Sequence, residues 1–362
     1  MRVRLTPVLL LSLLAPALAA CSDDEAAVPW TMRASEEKVT DVVDGIGDDE
    51  AMALARVAGA PSSIARTPDG ATMLAWGVAG MEGEREATAW MTFSPTGRMT
   101  GSSSDGSLMT DLPLAYDGGF LMSGPDGAHI GTSVMVSEAG VATTSPRVTA
   151  KPRTAKAGDL LLGSYGYPAF RPSDDSFAPL PPDGIDHGGG LPPTILSPSG
   201  AVTTLGGTVR RLVFSWSGNG GRTWDHDTVV LPHALVTDQA ELYANADRTI
   251  MLVHDRKFRL AGWLSRSTGD TGWTTTLLPT PSDDLAIGLV GDRLLITGRV
   301  GNGSDAHGGV LVSLADPTDV ITVDRHALRA SGGRLYSLSP KVSESSDGKT
   351  WTDVPLDFST AD

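Results

Sequence analysis

One cysteine, Cys21, occurs in 362 residues. A lone thiol has no intramolecular disulfide partner and cannot form a cysteine metal cluster. Histidine is also scarce. The seven, at positions 129, 187, 226, 233, 254, 307 and 326, include no i, i+4 pair and no His-Glu-x-x-His, so the helical zinc-hydrolase signature is missing. No Gly-x-Ser-x-Gly elbow is present. The run Asp186-His187-Gly188-Gly189-Gly190 follows no strand pattern and opens no helix, so it reads as a loop and not as a phosphate cradle. Lys and Arg number 28 against 43 Asp and Glu, and the net charge of −15 argues against nucleic acid and against electrostatic adhesion to anionic lipid. After the first 20 residues no apolar run approaches a membrane-spanning length. No cofactor, metal or catalytic residue is expected from this inventory.

Turn formers are abundant. Forty-two Gly and 24 Pro interrupt the chain too often for long helices and suit many short strands joined by tight turns. The first two dozen residues differ from the rest. Arg2 and Arg4 precede an apolar run from Val8 to Leu14, and small residues lead to Leu18-Ala19-Ala20-Cys21. That pattern predicts an export signal over 1–20. Its end resembles the lipobox of bacterial lipoproteins, which implies cleavage before Cys21 and acylation of its thiol. The resemblance places the mature chain on the extracytoplasmic face of a cell membrane, with the lipid bilayer as a partner through the acylated N-terminus. The small, acidic segment 21–35 reads as a tether, and 36–60 as an N-terminal extension in which Asp49 to Arg56 can form two helical turns.

From residue 61 to 358 short β runs alternate with turns such as Asp69-Gly70 and Tyr116-Asp117-Gly118-Gly119. A serine at the end of each third strand keeps register: Ser94, Ser137, Ser173, Ser217, Ser265, Ser313 and Ser345. Their spacing averages about 42 residues, the length of one four-stranded propeller blade. The expected fold is all-β, a β-propeller of four-stranded antiparallel blades. Seven markers suggest seven blades; six remains open, because Tyr165 to Gly190 is dense in Pro, Asp and Gly and poor in strand signal.

Two turns carry a specific motif. Ser217-Gly218-Asn219-Gly220-Gly221-Arg222-Thr223-Trp224 reads S-x-N-x-G-x-T-W, and Ser345-Ser346-Asp347-Gly348-Lys349-Thr350-Trp351 repeats it one residue shorter. The motif resembles the Asp box, or BNR repeat, of sialidase-like β-propellers. In that family the box joins third and fourth strands away from the catalytic face, so Ser217, Asn219, Gly221, Thr223, Trp224, Ser345, Asp347, Gly348, Thr350 and Trp351 are structural candidates, not catalytic ones.

Sialidase chemistry implies three arginines, a Tyr–Glu pair and an aspartate. The family's Arg-Ile-Pro is missing, and Phe170-Arg171-Pro172 is the nearest match. Tyr336 resembles the late tyrosine, with Glu241 as the nearest proposal for its partner. Asp225-His226-Asp227 reads as a solvated edge strand, and Asp174-Asp175 and Asp283-Asp284 as acidic turns. The tryptophans read as packing between blades. The resulting expectation is a non-catalytic binding or scaffold propeller for a glycan, a peptide or an envelope protein, with an exo-acting sialidase as the alternative.

Overall fold

The computed structural model describes residues 28, 30, 51–78, 87–105, 113–122, 133–140, 142–161, 169–185, 192–237, 241–270, 272–298 and 307–358. Cys21 and the export signal over 1–20 lie outside them. Among the described residues a single α-helix, α1 (Ala51–Ala58), precedes strands and one 3-10 turn (Pro172–Asp174), and the chain is nearly all-β, as its Gly and Pro content predicts.

Four of the sheets hold four strands each. The first runs in chain order through β1 (Ser63–Arg66), β2 (Thr72–Val78), β3 (Ala87–Phe93) and β4 (Met99–Asp105). The second is likewise β5 (Leu114–Tyr116), β6 (Gly119–Met122), β7 (Val134–Ser137) and β8 (Ala142–Thr144). The third departs from this order. β10 (Leu160–Leu161), β11 (Ala169–Arg171) and β12 (Ser176–Ala178) are antiparallel, but the outer position is taken by β9 (Arg147–Val148), which pairs parallel to β12. The fourth sheet returns to chain order with β13 (Thr194–Leu196), β14 (Val202–Gly207), β15 (Arg211–Ser217) and β16 (Asp225–Val230).

In the fifth sheet β17 (Leu235–Val236) and β18 (Leu242–Ala244) share one edge of β19 (Arg248–Asp255), followed by β20 (Leu260–Ser267) and β21 (Thr274–Ser282). The sixth is a seven-stranded meander: β22 (Leu285–Val290), β23 (Arg293–Thr297), β24 (His307–Ser313), β25 (Val320–Ser331), β26 (Arg334–Ser339), β27 (Ser343–Ser345) and β28 (Thr352–Asp353). Its width comes from the twelve-residue β25, whose first half pairs β24 and whose second half pairs β26.

Central strands such as β2 and β20 are buried on both faces, whereas the outer β16 and β21 alternate between exposed and half-buried positions. That difference follows from burial of both faces of each sheet, because the cores lie between neighbouring sheets. Met73, Ala75 and Trp90 of the first sheet meet Phe120 and Val136 of the second. Phe214 and Trp216 meet Met251 and Leu264, and Ile250 and Trp263 meet Leu294 and Val312. The last interface joins the two ends of the chain. Trp76, Met91 and Phe93 pack with Tyr336, Leu338 and Val354, and α1 adds Leu54 and Val57. The first strands of successive sheets also lie side by side, β1 against β5, β10 against β13, β13 against β18 and β18 against β22, while β25 lies against β1.

Two expectations need correction. Six of the seven register serines end, or lie late in, the third strand of a four-strand unit or immediately follow it, but Ser173 does not. It sits in the turn after β11, because the third sheet fills its outer position from the chain that precedes it. The tether reading over 21–35 also fails at its far end. Trp30 is buried with Trp76 and Phe358 against it edge-on, and its indole N–H donates to the Leu338 carbonyl at 2.8 Å. An indole among small residues gains too much from burial to stay in a spacer.

Candidate functional site

Both Asp-box turns form one hydrogen-bond scheme. In the first, the Ser217 hydroxyl donates to Asn219 Oδ1 at 2.9 Å and accepts the Gly221 N–H at 2.7 Å, and Thr223 N–H donates to Asn219 Oδ1 at 2.9 Å. In the second, Ser345 donates to Asp347 Oδ1 at 3.0 Å and accepts the Gly348 N–H at 2.8 Å. Asp347 Oδ1 then accepts from Lys349 and Thr350 N–H at 2.8 and 2.7 Å. Gly221 and Gly348 take φ of 92° and 75°, the left-handed region that a side chain would strain. Hydrogen bonds from the Thr350 and Lys349 backbone hold the Asp347 carboxyl down to about 2. Trp224 and Trp351 are half-buried behind their turns, and Trp351 carries the Arg325 guanidinium 5.1 Å from its ring centre. Each box residue thus serves its turn.

The boxes stand at one end of the strands, and at that same end opens a cavity of about 1080 Å³. The chain at Ala155 and Lys156 links the two, since Ala155 N–H donates to the Gly220 carbonyl at 2.9 Å and Lys156 lines the cavity. The wall comes from the turns after β1, β5, β13 and β25 and from the segment leading into β10. These are the strand ends that neighbouring sheets bring together. The turns of the later sheets join the same end: Gly291 N–H donates to the Gly333 carbonyl at 3.2 Å, and Asn245 Nδ2 donates to the Gly291 carbonyl at 2.8 Å.

Three arginines reach this cavity, and each is already engaged. Arg66 pairs with Glu344 at 2.8 Å and donates to the Gly70 carbonyl at 3.3 Å. Arg334, on the more exposed side, meets the same Glu344 at 3.1 Å. Arg171 grips Asp159 bidentately, with Nε at 2.9 Å and Nη2 at 2.6 Å, and also donates to the Thr154 carbonyl at 2.9 Å. Its hydrogen bond to Asp159 raises the guanidinium further above its ordinary range.

Tyr336 stands opposite Glu344 in the β26–β27 register and is only 2% exposed. Burial and then the Glu344 charge push its hydroxyl up to about 12. The register makes Glu344 the partner of Tyr336. Glu241 is not: it lies just before β18 and pairs with His254 at 3.2 Å. Glu344 was legible only through the β26–β27 hairpin register, one residue before the box serine.

The remaining candidates are structural. His226 Nδ1 lies 3.0 Å from the Ser215 hydroxyl on the edge strand β16. Asp174 pairs with Arg153 at 3.1 Å, and Asp284 N–H and Oδ2 both bond the Ser282 hydroxyl at 3.1 Å. Trp76, Trp90, Trp216 and Trp263 are buried, and Trp273 stacks on Phe214 at 3.8 Å. Among the described residues no group of three or more His, Cys, Asp or Glu is arranged to hold a metal ion.

The sequence matches no protein-family model and no curated protein. Among solved structures it is similar to a puromycin-hydrolyzing peptidase of Mycobacterium tuberculosis, at 13% identity over 91% of this chain and 56% of that one, with a TM-score of 0.42. A prolyl endopeptidase aligns at 12% identity over 78% of this chain and 37% of its own, with a TM-score of 0.30. The polysaccharide lyase Uly1 aligns at 11% identity over 90% and 89% of the two chains, with a TM-score of 0.29. The chain spans less than two thirds of the length of either peptidase.

Proposed function

We propose that this chain is an exported lipoprotein, anchored through Cys21 on the extracytoplasmic face of a membrane, whose residues 61–358 form a seven-bladed β-propeller acting as a non-catalytic binding module. The propeller reading is supported by neighbouring first strands and by the return of β25 to β1. Counting β25 as the last strand of one blade and the first of the next makes seven units, six of four strands and one in which β17 and β18 share the first position. The reading of Cys21 rests on its place after Leu18-Ala19-Ala20.

One observation carries the binding reading. The cavity is walled by turns from the first four sheets and the last, a place where loops of many blades converge, as propeller ligand sites do. Arg66 and Arg171 are shielded and paired within the protein, and Arg334 is tied through Nη1 to Glu344, so three free arginine forks do not converge on a substrate carboxylate. Tyr336 is buried and protonated at neutral pH. This favours binding over glycoside cleavage by a tyrosine nucleophile. Binding measurements on variants of the Lys156 and Asp117 rim distinguish a glycan, a peptide and an envelope protein as its ligand.

Two measurements test the reading. Cells fed an alkyne-tagged fatty acid should label the wild-type chain and leave Cys21→Ser unlabelled; equal labelling overturns the anchor. A fluorogenic sialoside should stay at the buffer rate. Hydrolysis that disappears in Tyr336→Phe would establish an enzyme instead.

A further inference from the structure

The end of the strands opposite the cavity carries a surface of another kind. β14 leads away from the cavity-lining turn at Ser197 and ends in the turn Gly207-Thr208-Val209-Arg210, after which β15 returns. β19 leads away from Asn245 and ends in the turn Asp255-Arg256-Lys257-Phe258-Arg259. The crossover after β16 pins both turns together. Leu231 N–H donates to the Arg210 carbonyl at 2.8 Å, and two residues later the His233 carbonyl accepts Arg256 Nε at 3.1 Å.

Three apolar side chains project from this surface: Phe258 at 69% exposure, Val230 at 68% and Val209 at 52%. Phe258 has φ of 58°, a left-handed conformation that a bulky residue adopts only when its surroundings impose it. The surroundings do. Asp255 Oδ1 accepts the N–H groups of Lys257 and Arg259 at 2.8 and 3.0 Å, and Phe258 N–H donates to the Asp255 carbonyl at 2.9 Å. A strained turn is thus braced around a ring that points into solvent. Packing inside the domain gives no reason for it.

The exposed charge beside the ring is mostly positive. Arg211, Arg256 and Lys257 are exposed, with Arg210 and Arg259 beside them. The one carboxylate within the turns, Asp255, is spent on Arg259 at 2.6 Å, and Asp283 and Asp284 border the surface on the next crossover. On a chain of net charge −15 this is a local reversal. Apolar tips flanked by cations suit the interface of an anionic bilayer, where rings enter the acyl boundary and cations meet phosphate.

Trp30 lies at the same end. Trp30 bonds Leu338, near the end of β26, while Arg334 at the start of that strand lines the cavity. From Cys21 to Val28 the chain reaches at most ~25 Å, which brings this end toward the membrane if Cys21 is acylated.

We propose that Phe258, Val209 and Val230, with Arg211, Arg256 and Lys257, form a second membrane contact that docks the domain on anionic lipid and turns the cavity away from the bilayer. The orientation rests on the Cys21 reading; the lipid contact itself does not. The test therefore uses the unlipidated chain from residue 22 onward, which contains every described residue. It should sediment with phosphatidylglycerol–phosphatidylcholine vesicles at low salt and not with phosphatidylcholine alone. Phe258→Gly, which relieves the left-handed strain, should keep the thermal midpoint at or above the wild-type value and lower the partition coefficient at least fivefold. Lys257→Glu should lower it about fivefold or more. Phe258→Trp should shift its emission to the blue on adding anionic vesicles. Absence of sedimentation with any vesicle, or binding that Phe258→Gly leaves intact, overturns the proposal, whatever the fatty-acid labelling of Cys21 shows.

Discussion

Glu344 stands opposite Tyr336 across the β26–β27 pair and at the same time holds Arg66 of β1 at 2.8 Å. One carboxylate thereby joins the last strands of the chain to the first. The side chains of Arg66 and Glu344 are mostly shielded from water, whereas that of Arg334 is 54% exposed.

Different losses are expected from removing the two arginines. Arg66→Ala leaves a shielded carboxylate short of its main partner and should cost about 3 kcal/mol. Arg334→Ala removes an exposed pair and should cost less than about 1 kcal/mol. Urea unfolding of the two variants decides this, and equal losses would mean that solvent screens both pairs alike.

Alkaline stability should follow the buried tyrosines. Burial raises Tyr336 and Tyr243 to about 12, and each also faces a glutamate, Glu344 and Glu241. In the unfolded chain both ionise near pH 10. Between these values the native state binds more protons, so stability is fully present below about pH 10 and is lost as pH rises toward 12. Tyrosinate absorbance at 295 nm should show Tyr336 and Tyr243 ionising only with unfolding, and Tyr116, which burial also raises, ionising later than an exposed tyrosine. Normal titration of all five tyrosines would refute the burial.

Acid should act through Asp347. Its folded value of about 2 lies below the unfolded one near 3.9, so its contribution is present above about pH 4 and lost as pH falls through 2. Asn219 fills the equivalent place in the first box with an amide. Asp347→Asn should accordingly keep the turn's Oδ1 bonds and flatten the acid dependence, whereas Asp347→Ala should lower the melting temperature at every pH. A melt series from pH 2 to 7 on both variants checks the pair.

Ser217→Ala should destabilise by about 1–3 kcal/mol, because the buried Gly221 N–H loses its acceptor. The denaturation midpoint should move with an unchanged m-value. An unshifted midpoint would mean that water replaces the hydroxyl.

Much of the local structure was legible in the residues. The box at Ser217 closes through bonds spanning at most four positions, so residue type and spacing suffice to predict it. The helix at Ala51–Ala58 overlaps the helical turns expected from Asp49 to Arg56. The third sheet was not legible. Its outer strand β9 arrives from the preceding chain and pairs in parallel, and two-residue strands carry no periodic signal. Trp30 was misread because its partners, Trp76, Leu338 and Phe358, are distant in sequence.

The sequence by itself determined the all-β class, the turn chemistry and the repeating rhythm, since those depend on neighbours a few residues apart. Only the tertiary structure decided that Arg66, Tyr336 and Glu344 meet, that Arg171 is spent on Asp159, and that Phe258 is held out beside Val209 and Val230. The reason is physical. A hairpin bond is set by local backbone geometry, whereas a contact between the first strand and the last forms only when every intervening sheet has packed on its neighbour.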